Sequence, residues 1–298
     1  MADPRTLGRQ GLWLALASAA AYGTNIVSAQ LAGQAGLSGA LLVFYRVFLM
    51  LALVAVAALL TRASLAVARG RRAGMLVFGI ASAAVGSAYL SSVAYVPVSV
   101  AAVLFYTYPV LIVLAEPVLT REPFRADRFV LALTAFLGVA MVVGPDLHGL
   151  DPRGLVLALL ASVAAATQFF AASALAPVPM LPKLFWSHVI VLPVTLAILA
   201  VTGGLLPPSA LLLAPAAVVV TIGGYLVGFL LQIAALSRIS PGRAGLAFCA
   251  EPVFAMLIAT VWLQERLGPL QYAGCGLVVA TLMTNVILEQ YRRRPQPA

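Results

Sequence analysis

Ten apolar stretches take up most of this sequence, and each is about as long as a helix that crosses a bilayer. Such a helix needs roughly 20 mainly apolar residues, because each residue adds ~1.5 Å to its length. A β-barrel would need alternating segments of ~10 residues instead, and the sequence has no such pattern. It therefore predicts an all-α membrane protein with ten transmembrane helices. The stretches lie at about 11 to 32, 38 to 61, 74 to 95, 98 to 119, 128 to 145, 154 to 175, 183 to 203, 211 to 236, 242 to 263 and 269 to 289.

Charged residues make up only 9% of the chain, and most of the basic ones fall between the apolar stretches. If the N-terminus lies in the cytoplasm, fifteen of the 18 Lys and Arg residues fall on that side, two fall outside, and Arg46 lies within a span. Cytoplasmic loops of membrane proteins carry such an excess. We therefore expect both termini in the cytoplasm. The net charge of +9 then reflects topology and does not indicate a nucleic-acid partner.

One short pattern occurs twice: a Phe, then Pro-Val four residues later, then a Glu after eleven further residues. Phe248 lies 143 positions after Phe105, which is close to half of the 298 residues. We expect two homologous repeats, residues 1–150 and 151–298. Because each would cross the membrane five times, the second must start from the opposite face, so the repeats are inverted. The pattern comprises Phe105, Pro109, Val110 and Glu122 in the first half, and Phe248, Pro252, Val253 and Glu265 in the second.

With these features the sequence resembles the drug/metabolite transporter superfamily, whose five-helix repeat is the EamA domain. Residues 239–244, the Glu251-Pro252 pair and Gly274 are close to that family's usual sequence. Within the superfamily the chain is most similar to YddG-type bacterial amino-acid exporters. The first repeat departs from the pattern, since Glu122 is followed by Pro123 where Glu265 is followed by Arg266.

The resemblance implies a multi-pass secondary transporter of the bacterial inner membrane that works by alternating access. Its expected function is export of small metabolites, most of all amino acids including aromatic ones. A multidrug or quaternary-ammonium carrier of the same superfamily is the alternative. The expected partners are the small-molecule substrate and the lipid bilayer, and these residues indicate no particular oligomeric state.

The two repeated prolines are candidate hinges. Proline cannot donate to the carbonyl four residues earlier, so Pro109 and Pro252 should bend their helices at Phe105 and Phe248. In lipid the freed carbonyl needs another partner or a polar cavity. We expect the two kinked helices to flank the transport pathway, and a static kink is the alternative.

Ionisable side chains within spans are costly in lipid and mark candidate functional positions. Arg46 and Glu251 lie at similar depth, and could form a buried pair or hold the two charged ends of a zwitterion. Arg46 could instead reach the membrane surface along its flexible stem. His188 could be a core imidazole or a proton carrier, and Glu116 is expected to pair at the surface near Arg121.

Uncharged polar and aromatic residues complete the predicted substrate cavity. Asn25 and Gln168 occupy matching positions of the two repeats, and others share helix faces at spacings of three or four. Tyr45 and Trp186, near span ends, are equally consistent with interfacial anchors. The predicted substrate-binding residues are Tyr22, Asn25, Arg46, Tyr89, Phe105, Tyr106, Gln168, Gln232, Phe248 and Glu251.

Other classes of function find little support in the sequence. All four Asp residues lie in predicted loops or tails, and His148 and His188 have no metal-ligand spacing. Cys249 and Cys275 lie in separate spans and indicate neither a disulfide nor a zinc site. We expect no enzyme, no cofactor and no metal. A channel would present a filter loop, which the sequence lacks, and a lipid or sugar carrier is the remaining alternative.

Overall fold

The computed structural model describes residues 4–121, 123–144, 150–264 and 266–292. Within these ranges the regular elements are helices, and ten spans are long and apolar enough to cross a membrane, with mean hydropathy between 1.2 and 2.5. The prediction of ten transmembrane helices is confirmed. The α-helices are α1 (Pro4–Gln34), α2 (Gly39–Thr61), α3 (Arg72–Ser92), α4 (Val98–Phe105), α5 (Tyr108–Thr120), α6 (Ala126–Val143), α7 (Pro152–Ala174), α8 (Met180–Thr202), α9 (Pro215–Leu236), α10 (Pro241–Phe248), α11 (Glu251–Trp262) and α12 (Pro269–Arg292), with short 3₁₀ helices at Arg69–Arg71 and Pro208–Leu213.

The fourth and ninth spans are each broken into two half-helices. The first break separates α4 from α5 at residues 106–107, and the second separates α10 from α11 at 249–250. Pro109 and Pro252 lie in the first turn of α5 and α11, where a missing N–H costs nothing. The two breaks are 143 positions apart, as the sequence repeat requires. Both prolines therefore interrupt their spans where the sequence predicted a kink.

The two halves pack mainly against each other rather than each around its own core. The largest helix interfaces join α1 to α9 and α3 to α7, which are equivalent pairs under the repeat. A Cβ added at Gly11 would lie 2.6 Å from Ile239, and one added at Gly154 would lie 2.7 Å from Val96. Both pairs are again related by a shift of 143 positions. The same close contact thus occurs once at each face of the membrane, because five spans reverse the direction of the second repeat.

The fifth and tenth spans form a pair of their own. A Cβ at Gly138 would lie 3.0 Å from the carbonyl oxygen of Gly274, and one at Gly274 would lie 2.7 Å from that of Gly138. Small residues let helix backbones approach this closely in membranes. Helix α12 makes its main contact with α6. This pair lies at the edge of the bundle, which agrees with its low polar content.

Candidate functional site

A chain of hydrogen bonds crosses the middle of the bundle and joins four spans. The Tyr22 hydroxyl donates to Oε1 of Gln232 at 2.9 Å, and Nε2 of Gln232 donates to Oε1 of Gln168 at 3.2 Å. Gln168 then donates through Nε2 to the Ser82 hydroxyl at 2.9 Å. Each amide uses both its donor and its acceptor, so these groups satisfy one another away from water. The chain therefore ties α1, α9, α7 and α3 together.

Arg46 turns inward from α2 and has no carboxylate partner among the described residues. Its guanidinium carbon lies 4.2 Å from the centre of the Tyr225 ring, within cation–π range. Nη1 donates to Oδ1 of Asn25 at 3.4 Å, a long hydrogen bond. Nε is buried without any hydrogen-bond partner. The side chain therefore does not extend to the membrane surface, and it retains unused capacity to bind an anion.

Tyr225 is itself held in place from α8. Nε2 of His188 lies 3.1 Å from the Tyr225 hydroxyl, and Nδ1 lies 2.8 Å from the carbonyl oxygen of Leu184. The imidazole also packs edge-on against Phe229, with ring centres 5.1 Å apart. His188 is almost fully buried. It orients the ring on which Arg46 rests, and this is its observed structural role.

Glu251 is the first residue of half-helix α11, at the break in the ninth span. The carboxylate makes no ion pair with a described residue. It lies close to Tyr106 and within electrostatic range of Tyr22 and Tyr89. Tyr22 is also within electrostatic range of Arg46. Arg46 and Glu251 therefore form no ion pair with each other in the described structure, and their expected role at the two ends of a zwitterion stays a prediction.

An aromatic wall lines the space around these charges. Ring centres are 5.4 Å apart for Tyr89 and Phe105, and 5.2 Å apart for Phe105 and Tyr108. The contacts continue through Phe169 and Phe248 to Tyr22 and Tyr225, with spacings between 5.2 and 6.3 Å. These distances suit offset or edge-to-face packing. Tyr22, Arg46, Tyr89, Phe105 and Tyr225 keep partial exposure in mid-span, whereas Tyr108, Phe169 and Phe248 are buried.

The structure brings the ten predicted substrate-binding residues into connected contacts. Their role in binding stays a prediction. Tyr225, Phe169 and Ser82 belong to the same cluster and were not predicted. The signal for Tyr225 was present, because it shares a helix face with Gly228 and Gln232 at spacings of three and seven. No group of three or more metal-ligating side chains occurs in the described part of the chain.

The profile of the EamA-like transporter family matches residues 9–144 and, separately, residues 152–287. The two matches together cover nearly the whole chain, one in each half. The chain belongs to the EamA-like transporter family. It is thus a multi-pass membrane protein of a family that transports small molecules, and it falls in the drug/metabolite transporter superfamily.

Beyond the family match, a solved structure shares the fold of this EamA-like transporter. No curated protein matches it in sequence. A solved crystal structure, described only as that of a protein, is similar with a TM-score of 0.72 and 20% identity, over 91% of this chain and 98% of the other. At that identity the likeness shows a shared fold. The closer resemblance to YddG-type exporters stays a prediction.

The two equivalent half-helices of this EamA-like transporter are buried to different extents. In α10 the exposure of Arg243 is intermediate and the other residues are buried, whereas in α4 only Val100 and Ala101 are buried. Helix α10 packs against α5, and no comparable contact joins α4 to α11 in the described structure. The bundle is therefore closed at the face where α10 starts and more open at the face where α4 starts.

Glu116 fastens the closed face, which corrects its predicted place at the surface near Arg121. The carboxylate is 4% exposed. Oε2 accepts a hydrogen bond from Nη1 of Arg128 at 3.1 Å, and Oε1 accepts one from the backbone N–H of Gly242 at 3.2 Å. This Glu116 latch links α5, α6 and α10. The repeated residues Glu122 and Glu265 lie outside the described residues.

Tyr45 and Trp186 lie outside the cluster. The Tyr45 hydroxyl donates to the carbonyl of Leu206 at 2.7 Å, and Nε1 of Trp186 donates to the carbonyl of Leu65 at 2.8 Å. Both rings are at least partly exposed near span ends and hold connecting loops. This is the arrangement expected of interfacial anchors.

Proposed function

We propose that this protein exports small amphipathic metabolites, most of all amino acids including aromatic ones, by alternating access. One observation carries the proposal. Arg46 and Glu251 make no ion pair with each other or with another described residue, and both lie within electrostatic range of Tyr22 in the aromatic wall. Uncompensated charges in a membrane span are costly, so they call for a functional reason.

A zwitterion would supply the missing partner of each charge. The planar guanidinium of Arg46 suits a carboxylate, with which it can form two parallel hydrogen bonds. The Glu251 carboxylate suits an ammonium group, and the nearby tyrosine hydroxyls add acceptors. The aromatic wall offers apolar surface to a substrate side chain, and its rings favour other aromatic rings.

The broken helices and the unequal faces support alternating access. The two repeats offer equivalent half-helices at opposite faces, but only α10 is tightly packed. Exchange of these two arrangements would close the α4 face and open the α10 face. Transporters built from inverted repeats move in this way around a fixed midplane site.

We place the protein in the bacterial inner membrane with both termini in the cytoplasm, on the distribution of basic residues and the family resemblance. In that orientation α10 starts at the cytoplasmic face and α4 at the outer face, so the described state is open outward. The two repeats correspond to residues 1–150 and 151–298 in this proposal.

A carrier of organic cations is the second candidate, and the surroundings of Glu251 favour it. A carboxylate close to Tyr106 and Tyr89 resembles the aromatic sites that bind quaternary ammonium groups. Arg46 argues against it, since an unpaired cation in the same space repels a second one. The two candidates therefore differ in whether Arg46 is needed.

Counterflow in proteoliposomes separates the candidates. We expect saturable exchange of amino acids, including phenylalanine and tryptophan. Arg46→Gln should raise KM for them about 10- to 100-fold, because a charge-assisted hydrogen bond contributes about 1.5–3 kcal/mol. Glu251→Gln should also impair exchange, while the matched control Arg153→Gln, an exposed residue at a span end, should not. Exchange of a quaternary ammonium ion but of no amino acid would overturn the amino-acid assignment.

A further inference from the structure

We propose that a groove at one membrane surface, formed by α3, α8 and the loop before α3, binds an anionic phospholipid. The phosphate would lie at Arg72 and an acyl chain would enter the groove. This site is separate from the substrate cluster and does not depend on what is transported. The groove encloses about 420 Å³ and is lined by Ala66, Val67, Arg72, Met75, Leu76, Trp186 and Ile190.

The mouth of the groove carries the positive charge of Arg72, whose side chain is held by a backbone carbonyl. Nε of Arg72 donates to the carbonyl of Val67 at 3.2 Å, and its terminal nitrogens make no hydrogen bond to a described residue. Arg69 and Arg71 precede it in the chain and are exposed, and Nη1 of Arg71 donates to the carbonyl of Ala174 on α7 at 2.9 Å. None of the seven lining residues is acidic. An anion at the mouth would therefore meet the guanidinium of Arg72 without an opposing carboxylate of the groove.

The groove runs from the membrane surface into the hydrocarbon region. Arg72 is the first residue of α3, and Leu76 lies one turn, or ~6 Å, further along. Trp186 and Ile190 are likewise one turn apart on α8, and Trp186 holds the loop through the carbonyl of Leu65. A charged end at the surface and an apolar end in the span match a phospholipid, whereas a free phosphate would leave the apolar end unused. Basic pockets between spans are known to hold anionic lipid headgroups.

The repeat provides an internal comparison. Pro215 occupies the position of Arg72 in the second half, so the equivalent corner, where α9 starts, lacks this charge. The 3₁₀ helix Pro208–Leu213 contributes Ala210 and Leu211 to the packing against Leu41 and Val218. The chain itself fills the corner that stays open in the first half. The groove and its charge thus occur together in one repeat, and the fold does not impose them.

Native mass spectrometry of the full chain, purified in detergent, tests the site. Phosphatidylglycerol should remain bound more tightly than phosphatidylcholine with the same acyl chains. Arg72→Gln should weaken phosphatidylglycerol binding about fivefold, since each surface Arg contributes about 1 kcal/mol toward anionic lipid. The exposed control Arg153→Gln, from the other membrane face, should leave it unchanged.

A second variant and a soluble probe address the acyl chain. Leu76→Trp should narrow the groove and weaken retention of phosphatidylglycerol without removing a charge, and sn-glycerol 3-phosphate should not bind. Equal retention of both lipids, or no effect of Arg72→Gln, would overturn the proposal. Binding of sn-glycerol 3-phosphate as tight as that of phosphatidylglycerol would also overturn it, because the site would then recognise a free phosphate.

Discussion

At the scale of single residues, the environment of Arg46 explains why its charge can stay inside a span. The Tyr225 ring covers one face of the guanidinium, and Asn25 accepts from one nitrogen. Asn25 is fixed in turn, because its amide nitrogen donates to the carbonyl of Thr221 on α9. These contacts leave Nε unpaired. The protein thus orders the cation while leaving part of its binding capacity for a ligand.

The role of Tyr225 is testable with two substitutions of graded severity. Tyr225→Phe keeps the ring and loses the hydroxyl contact to His188, so KM for an amino acid should rise about fivefold. Tyr225→Leu also removes the cation–π contact, and KM should rise about 30-fold, because such a contact contributes about 2 kcal/mol when desolvated. Proteoliposome transport kinetics would measure both values.

Substrate preference distinguishes positioning of Arg46 by Tyr225 from a purely structural role of this ring. If the ring positions Arg46, Tyr225→Leu should reduce the preference for a free amino acid over its amide, which lacks the carboxylate. Tyr95→Leu, at an exposed tyrosine outside the cluster, serves as control and should leave that preference unchanged. An unchanged preference in Tyr225→Leu would contradict positioning of Arg46 by this ring.

At the scale of helices, the two breaks create the site and also provide flexible points. The break between α10 and α11 lets Glu251 lie at a helix start in mid-membrane, next to Tyr106 from the other break. Because proline lacks an N–H, neither span can close its break by the ordinary i to i−4 bond.

Replacing the hinge prolines should slow the conformational step. Pro109→Ala and Pro252→Ala restore the missing donors, so each break can close toward a continuous helix. We expect turnover to fall about tenfold with little change in KM, which corresponds to a bias of about 1.4 kcal/mol. Pro193→Ala is the matched control, since Pro193 lies inside α8, is exposed and is remote from both breaks. Unchanged turnover in both hinge variants would reduce the prolines to static kinks.

At the scale of the whole molecule, the two halves share one helix plan but differ in their packing. The Glu116–Arg128 ion pair has no charged counterpart in the second repeat, because the repeat places Ala259 at the position of Glu116 and Gln271 at that of Arg128. We therefore expect the Glu116–Arg128 ion pair to bias an otherwise symmetric framework. Breaking one partner of such a pair leaves an uncompensated charge and costs about 3–5 kcal/mol.

Loss of the latch should open the α10 face. The native thiol of Cys249, which is fully buried beside the break, reports on this opening when Cys275 is replaced by Ser. Glu116→Gln should increase alkylation of Cys249 by a membrane-impermeant maleimide about tenfold or more. The double variant Glu116→Gln with Arg128→Gln should do the same without leaving an unpaired charge.

The adjacent, partly exposed pair Arg125–Asp127 offers a control at the same face. Arg125→Gln should leave the reactivity of Cys249 as in the parent protein, since exposed ion pairs contribute at most about 1 kcal/mol. Equal labelling of the double variant and the parent would show that the ion pair does not hold this face closed.

The sequence by itself determined the ten spans, the two repeats and the places where the fourth and ninth spans break. These features follow from local rules. Apolar length sets a span, an odd number of spans per repeat inverts the second repeat relative to the first, and proline removes a backbone donor. It also marked Arg46 and Glu251 as candidate functional residues, because a charge within an apolar run is conspicuous wherever the run folds.

Only the tertiary structure decided which groups these residues contact. Contacts between spans join positions more than a hundred residues apart, such as Tyr22 with Gln232 and Glu116 with Gly242. No local pattern specifies those pairs, since rotation of each helix about its axis is set by all its neighbours at once. For that reason Glu116 was expected at the surface but is buried, and Tyr225 was overlooked. The same packing decides which face is closed, because two repeats of one plan can be arranged either way and only their side-chain contacts distinguish the two states.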